Sequence, residues 1–189
     1  DTVSEGTGNK DRDTAVTQEE INNSNNDGSD GTVAGDLGNG VKDLGDGVGD
    51  AVEDAPEGSK ITIQSDITET NTINIGKNIA EINLGGKKIN GCISIASGSK
   101  VKISNGSIDC NGSEPTIYNN GELTITDGTY TYSGSSSNSL FNDSGGSCTI
   151  ENGNFSNTIG CTIRNKGSLN IKEANIKLTK EVTDGTALY

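Results

Sequence analysis

Residues 121–143 read GELTITDGTYTYSGSSSNSLFND, and the same unit returns as GSCTIENGNFSNTIGCTIRNK over 146–166 and as GSLNIKEANIKLTKEVTDGTALY over 167–189. Looser copies carry the series back to Gly58, with a period of about 18 to 25 residues. Repetition at this period means stacked units covered by their neighbours, not one globular core. Function in such proteins sits on the exposed ladders or in loops grafted onto them.

Inside each copy the apolar residues alternate. Ile61/Ile63, Ile73/Ile75, Ile82/Leu84, Ile93/Ile95, Val101/Ile103, Leu123/Ile125, Cys148/Ile150 and Leu169/Ile171 all lie two apart, in short runs bounded by Gly, Asn, Asp or Ser. These are half-buried strands. Each unit holds three: LTIT, TYTY and SLFN in the Gly121 copy, CTIE, NFS and CTIR in the Gly146 copy. Three strands in roughly 22 residues leave no room for a helix, which is one coil of a parallel β-helix. Aligned coils predict two inward columns. The second strand contributes Ile67, Ile89, Ile108, Tyr130, Phe155 and Ile176. The third contributes Ile73/Ile75, Ile93/Ile95, Ile117, Leu140, Ile163 and Leu188. Asn105-Gly106, Asp127-Gly128 and Asn152-Gly153 follow the first strand, where residues tolerant of positive φ suit a left-handed corner.

The GxLTIxxGxF…IxNxG pattern over residues 58–189 resembles the right-handed parallel β-helix repeats of bacterial secreted and surface proteins, within the wider pectin-lyase-like fold. The resemblance implies an all-β, single-stranded solenoid of about six coils. It also implies an extracellular or cell-surface location. It is poor for function, because that group holds polysaccharide lyases, glycosidases, adhesins and inert stalks.

Composition agrees with a solenoid. The chain has no Trp, no Met, two Phe and four Tyr, too few bulky side chains for a compact core of its length. Charge is split unevenly. Residues 1–57 carry 15 acidic against three basic residues, and 58–189 carry 12 against 11, which together give the net −13. Residues 1–32 read as a disordered acidic arm, since high charge and low bulk cannot offset the ordering entropy. Residues 33–57 read as a linker or a weak amphipathic capping helix. Val33, Leu37, Val41, Leu44, Val48 and Val52 recur at helical spacing, and six glycines between 35 and 49 oppose it. The β-helix spans 58–189, and TALY at 186–189 reads as a third strand cut off mid-coil. The acidity argues against nucleic acid as a partner, and no run approaches the roughly 18 apolar residues of a membrane span.

Four features carry candidate chemistry. The position after each buried third-strand residue is Tyr118, Phe141, Arg164 and Tyr189, which concentrates three of the six aromatics and one of two arginines in one outward column. Such a stripe stacks on sugar faces, or it stabilises itself as a cross-strand ladder. The next column, Asn119, Asn142 and Asn165, reads as a structural amide ladder. The coils carry the acids Asp66, Glu81, Asp109, Glu122, Asp127, Glu151 and Glu173. Asp127, Glu151 and Glu173 align as near neighbours and read as solvated corner acids or a weak cation site, a glycosidase dyad being the alternative. In the arm, Asn9, Asp11, Asp13 and Glu20 match the oxygen-ligand spacing of an EF-hand calcium loop, with Thr14 where that loop wants glycine.

Two smaller readings complete the set. An outward first-strand column of Thr62, Asn83, Lys102, Thr124, Thr149 and Asn170 is too interrupted for ice binding. Cys110, Cys148 and Cys161 fall at inward positions and Cys92 is ambiguous; buried thiols are the default reading, with one Cys148–Cys161 bridge conceivable. The chain is therefore expected to be a secreted or surface structural or adhesive module that meets a glycan or host-surface ligand without a resident cofactor. The alternative is a polysaccharide lyase or glycoside hydrolase.

Overall fold

A computed structural model describes residues 13–16, 52, 55–179 and 186–188 of the chain. Strand β1 (Asp13–Val16) precedes six three-strand units. The first unit is β2 (Ser59–Ile63), β3 (Ile67–Thr68) and β4 (Ile73–Ile75). The second is β5 (Ile79–Asn83), β6 (Lys88–Asn90) and β7 (Ile93–Ile95). The third is β8 (Lys100–Ser104), β9 (Ser107–Cys110) and β10 (Ile117–Asn119). The fourth is β11 (Glu122–Ile125), β12 (Thr129–Tyr132) and β13 (Leu140–Asn142). The fifth is β14 (Ser147–Ile150), β15 (Asn154–Asn157) and β16 (Cys161–Asn165). The sixth is β17 (Ser168–Ile171), β18 (Asn175–Leu178) and β19 (Thr186–Leu188).

Each strand pairs in parallel with its counterpart in the next unit. First strands form one sheet, ordered β1-β2-β5-β8-β11-β14-β17. Second strands form β3-β6-β9-β12-β15-β18, and third strands form β4-β7-β10-β13-β16-β19. This is an all-β parallel solenoid, consistent with the right-handed β-helix expected from the repeats.

The registers place both expected inward columns. On the second sheet Ile67 faces Ile89, then Ile108, Tyr130, Phe155 and Ile176 follow in line. On the third sheet Ile73, Ile93, Ile117, Leu140, Ile163 and Leu188 are likewise in line. Nearly all belong to one continuous apolar core, which loosens at the sixth unit, where Leu169, Ile171 and Ile176 are half-buried and Leu188, expected inward, is exposed because no further coil covers it among the described residues. Parallel stacking with no lateral shift keeps a branched side chain above a branched side chain, so a few residues per coil make a column.

The first sheet departs from the expected register. Lys60, Glu81, Lys102, Thr124, Thr149 and Asn170 form its outward column, while Thr62 and Asn83 sit one step over, in line with Ser104. A shift of two residues keeps every side chain on its own face, so alternation alone cannot detect it. The corners also differ in part. Positive φ occurs at Asn105 and Gly128 but not at Asn152 or Gly153. The repeat's leading glycine has a different reason, which is space. A Cβ at Gly121 would stand 2.6 Å from the Ala96 carbonyl oxygen, and one at Gly146 would stand 2.6 Å from that of Asn119.

Four residues of the segment read as an acidic arm are described as a strand. Asp13–Val16 runs parallel to β2, with Asp13 opposite Lys60 and Val16 opposite Ile63. The first coil would otherwise present a bare strand edge, and β1 occupies it. Val52 and Ala55 are buried in the core at the same end, and the Asn78 amide donates to both their carbonyls at 2.5 and 3.0 Å. The rest of the arm, and residues 33–51, 53 and 54 of the segment where the linker or capping helix was expected, lie outside the described residues.

The corner between second and third strands varies most in length. It spans 69–72, 91–92, 111–116, 133–139 and 158–160 in the first five units. The two-residue corner of the second unit thus lies beside much longer ones.

Candidate functional site

Tyr118, Phe141 and Arg164 stand in register on the outward face of β10, β13 and β16. Rings on neighbouring rungs must meet, and they do. Tyr118 and Phe141 pack edge to face with centroids 5.5 Å apart. The Arg164 guanidinium lies 5.3 Å from the Phe141 centroid. Tyr189, the fourth member of the expected stripe, lies outside the described residues.

Two participants were missed. Lys166 Nζ is also 5.3 Å from the Phe141 ring centroid, and the Tyr118 hydroxyl donates to an Asp143 carboxylate oxygen at 2.6 Å. Both lie two residues beyond a stripe member, just past the strand ends. Continuing the period of two into the corner would have found them. The hydrogen bond from Tyr118 holds the Asp143 carboxyl below its usual range, helped by the Ser144 N–H and by the charges of Lys166 and Arg164. The same bond raises the Tyr118 phenol above its ordinary value. The column is thus a locked assembly of ring, ring and cations. Its Tyr118 end adjoins the smaller outward residues Ser94 and Asn74 on the same face.

The asparagine ladder lies one residue further on. Asn119 donates to the Asn142 side-chain oxygen and Asn142 to that of Asn165, both at 2.7 Å. Asn142 also donates to the Ser168 carbonyl at 2.9 Å, and Asn119 and Asn142 are fully buried. Asn142→Ala leaves the Asn165 oxygen and the Ser168 carbonyl short of a donor. It should cost about 2 kcal/mol, read from the urea midpoint at constant m-value.

Six of the seven acids bind groups on neighbouring coils. Glu81 pairs with Lys102 at 3.3 Å, Asp109 with Lys88 at 3.2 Å, Glu122 with Lys100 at 2.9 Å and Glu151 with Lys172 at 3.0 Å. Asp66 accepts the Lys88 backbone N–H at 2.9 Å, and Asp127 accepts that of Asn105. Exposed pairs of this kind contribute little to stability, and here they trim the coil-to-coil register. Among the described residues no three acids or cysteines converge as a metal site. Of the arm's calcium candidates, Asn9, Asp11 and Glu20 lie outside the described residues, and Asp13 enters only through the backbone of β1.

The cysteines require a correction. Cys92, left ambiguous by the alignment, and Cys110, expected as a buried thiol, form a disulfide with Cα atoms 5.1 Å apart. Cys92 precedes β7 and Cys110 ends β9, so the bond ties the corners of the second and third units. The pairing was invisible in the repeat alignment because it runs diagonally between coils. Cys148 and Cys161 are not bridged to each other, against the conceivable bond between them, and burial pushes the Cys148 thiol up to about 12.

No family model, curated protein or solved structure matches the chain.

Proposed function

We propose that this chain is a surface-exposed β-helix module that binds glycans weakly through the outward face of its third sheet. One observation carries the reading. Tyr118, Phe141 and Arg164 form an in-register stripe of rings and guanidinium, in mutual contact, on a surface otherwise rich in Ser, Thr, Asn and Gly. Rings held at rung spacing offer repeated apolar patches to sugar faces, and Arg164 and Lys166 offer donors to hydroxyls or carboxylates. The Cys92–Cys110 bond supports an extracellular location, because disulfides persist in oxidising compartments. The pairing of most coil-borne acids with lysines or backbone N–H groups favours binding over a lyase or glycosidase reading, which needs two acids across one groove.

A glycan array followed by titration tests the proposal. Affinity in the micromolar to millimolar range is expected, as a shallow site with few anchors implies. The Tyr118→Ala/Arg164→Ala double variant should lose at least about tenfold. Equal binding by parent and double variant would place the site elsewhere, and absence of binding to every glycan would leave a plain stalk.

A further inference from the structure

The third sheet carries a recess that the stripe does not fill. It encloses about 330 Å³ and is lined by Thr72, Asn74, Ile93, Ser94, Glu114 and Tyr118, near the lower end of the range for small-molecule pockets, roughly 300–1,000 Å³. Its origin is the unequal corners. The two-residue corner 91–92 leaves a step between longer neighbours, and the six-residue corner 111–116 carries Glu114 to the rim. We propose that this recess is a subsite for a neutral hexose unit, with its Glu114 wall held in place by the Cys92–Cys110 disulfide. The proposal rests on the glycan-binding reading and names its primary subsite.

The lining has the chemistry of a sugar site. Tyr118 supplies an aromatic wall, and its ring is fixed from behind by the Asp143 hydrogen bond and the Phe141 contact. Asn74, Ser94, Thr72 and Glu114 supply acceptors and donors for hydroxyls. Glu114 is the sole charged side chain in the lining, so a carboxylated sugar meets repulsion there and a neutral one does not.

The 111–116 corner is built to stay put. The sulfur atoms of Cys110 and Cys92 lie 3.4 and 4.0 Å from the Glu114 carbonyl oxygen. The Gly112 carbonyl accepts the Tyr132 hydroxyl at 2.7 Å. Pro115 is buried, and the Thr116 hydroxyl donates to the Thr131 carbonyl at 2.6 Å. A loop ordered before the ligand arrives spends no binding energy on ordering. Breaking the disulfide releases the corner directly under Glu114 while the bonds at Gly112 and Thr116 remain.

The test uses neutral tetrasaccharides of glucose, mannose and N-acetylglucosamine and a uronic-acid tetramer as probes, titrated against the whole chain. Ser94→Trp fills the recess from an outward strand position, and Glu114→Gln keeps its shape but removes the charge. Thr124→Trp places the same bulk on the first sheet as a control, and circular dichroism checks every variant for folding. The expected result is binding of at least one neutral probe, weakened about tenfold or more by Ser94→Trp and unaffected by Thr124→Trp. The parent should bind the uronic-acid tetramer at least about tenfold more weakly than Glu114→Gln does. Reduction with dithiothreitol, at a temperature that keeps the native dichroism, should weaken neutral binding at least about threefold. Neutral binding untouched by Ser94→Trp but lost in Tyr118→Ala/Arg164→Ala overturns the recess and leaves the stripe. Equal parent affinity for the uronic-acid tetramer overturns the neutral class, and unchanged affinity after reduction overturns the role of the disulfide. Failure of the parent to bind any probe overturns the recess and the glycan reading together.

Discussion

Phe155→Ala is expected to destabilise the fold by about 3–5 kcal/mol, the range for truncating a large buried aromatic. Phe155 is fully buried in the second-sheet column, stacked on Tyr130 with ring centroids 5.1 Å apart and with Ile176 on its other side. Its removal opens a cavity that Tyr130 and Ile176 on either side cannot fill by collapsing, because their backbones are fixed by ladder hydrogen bonds. It also unpacks Tyr130, whose buried hydroxyl is committed to the Asp127 carbonyl at 2.8 Å. Thr124→Ala, outward on the neighbouring sheet, should stay within about 0.5 kcal/mol. Urea unfolding of both variants checks the contrast. A mid-array lesion that splits the transition in two would appear as a lowered m-value and must be read separately. Similar losses for the two variants would mean that inward and outward faces are exchanged.

The Cys92→Ala/Cys110→Ala variant is expected to lose about 3 kcal/mol, from the loop-closure entropy of a cross-link between residues 18 apart. For an array of this size that lowers the melting temperature by roughly 10 °C. Thiol titration of the unfolded chain should find two free cysteines before reduction and four after it. Four before reduction would remove the disulfide and with it the strongest support for an oxidising compartment.

Much of the architecture was legible because a solenoid maps sequence onto space almost one residue to one position. Once Tyr130 and Phe155 were aligned as equivalent, parallel stacking made them neighbours. Tyr118, Phe141 and Arg164 followed by the same rule, as did the asparagine ladder. The first-sheet column was not legible in full. Lys102 aligns with Glu81 rather than Asn83, and both choices satisfy the same alternation. Hydrogen-bond register resolves an ambiguity that hydrophobic pattern leaves open.

Site chemistry was only partly readable. The repeat placed rings and a guanidinium in one column, and the period of two carried past the strand ends points to Asp143 and Lys166, but the hydrogen bond from Tyr118 to Asp143 depends on how the corner folds back.

The sequence by itself determined the coil, its three faces, the apolar columns and the outward stripe, because these depend on local periods of two and about 22 residues that the chain carries explicitly. Tertiary structure alone decided the Cys92–Cys110 bond, the lysine–carboxylate pairs between coils, the β1 strand on the first edge and the recess beside Tyr118. Each depends on how far a corner of one coil reaches over the next, and corner lengths of two, six and seven residues are the part of the repeat that does not repeat.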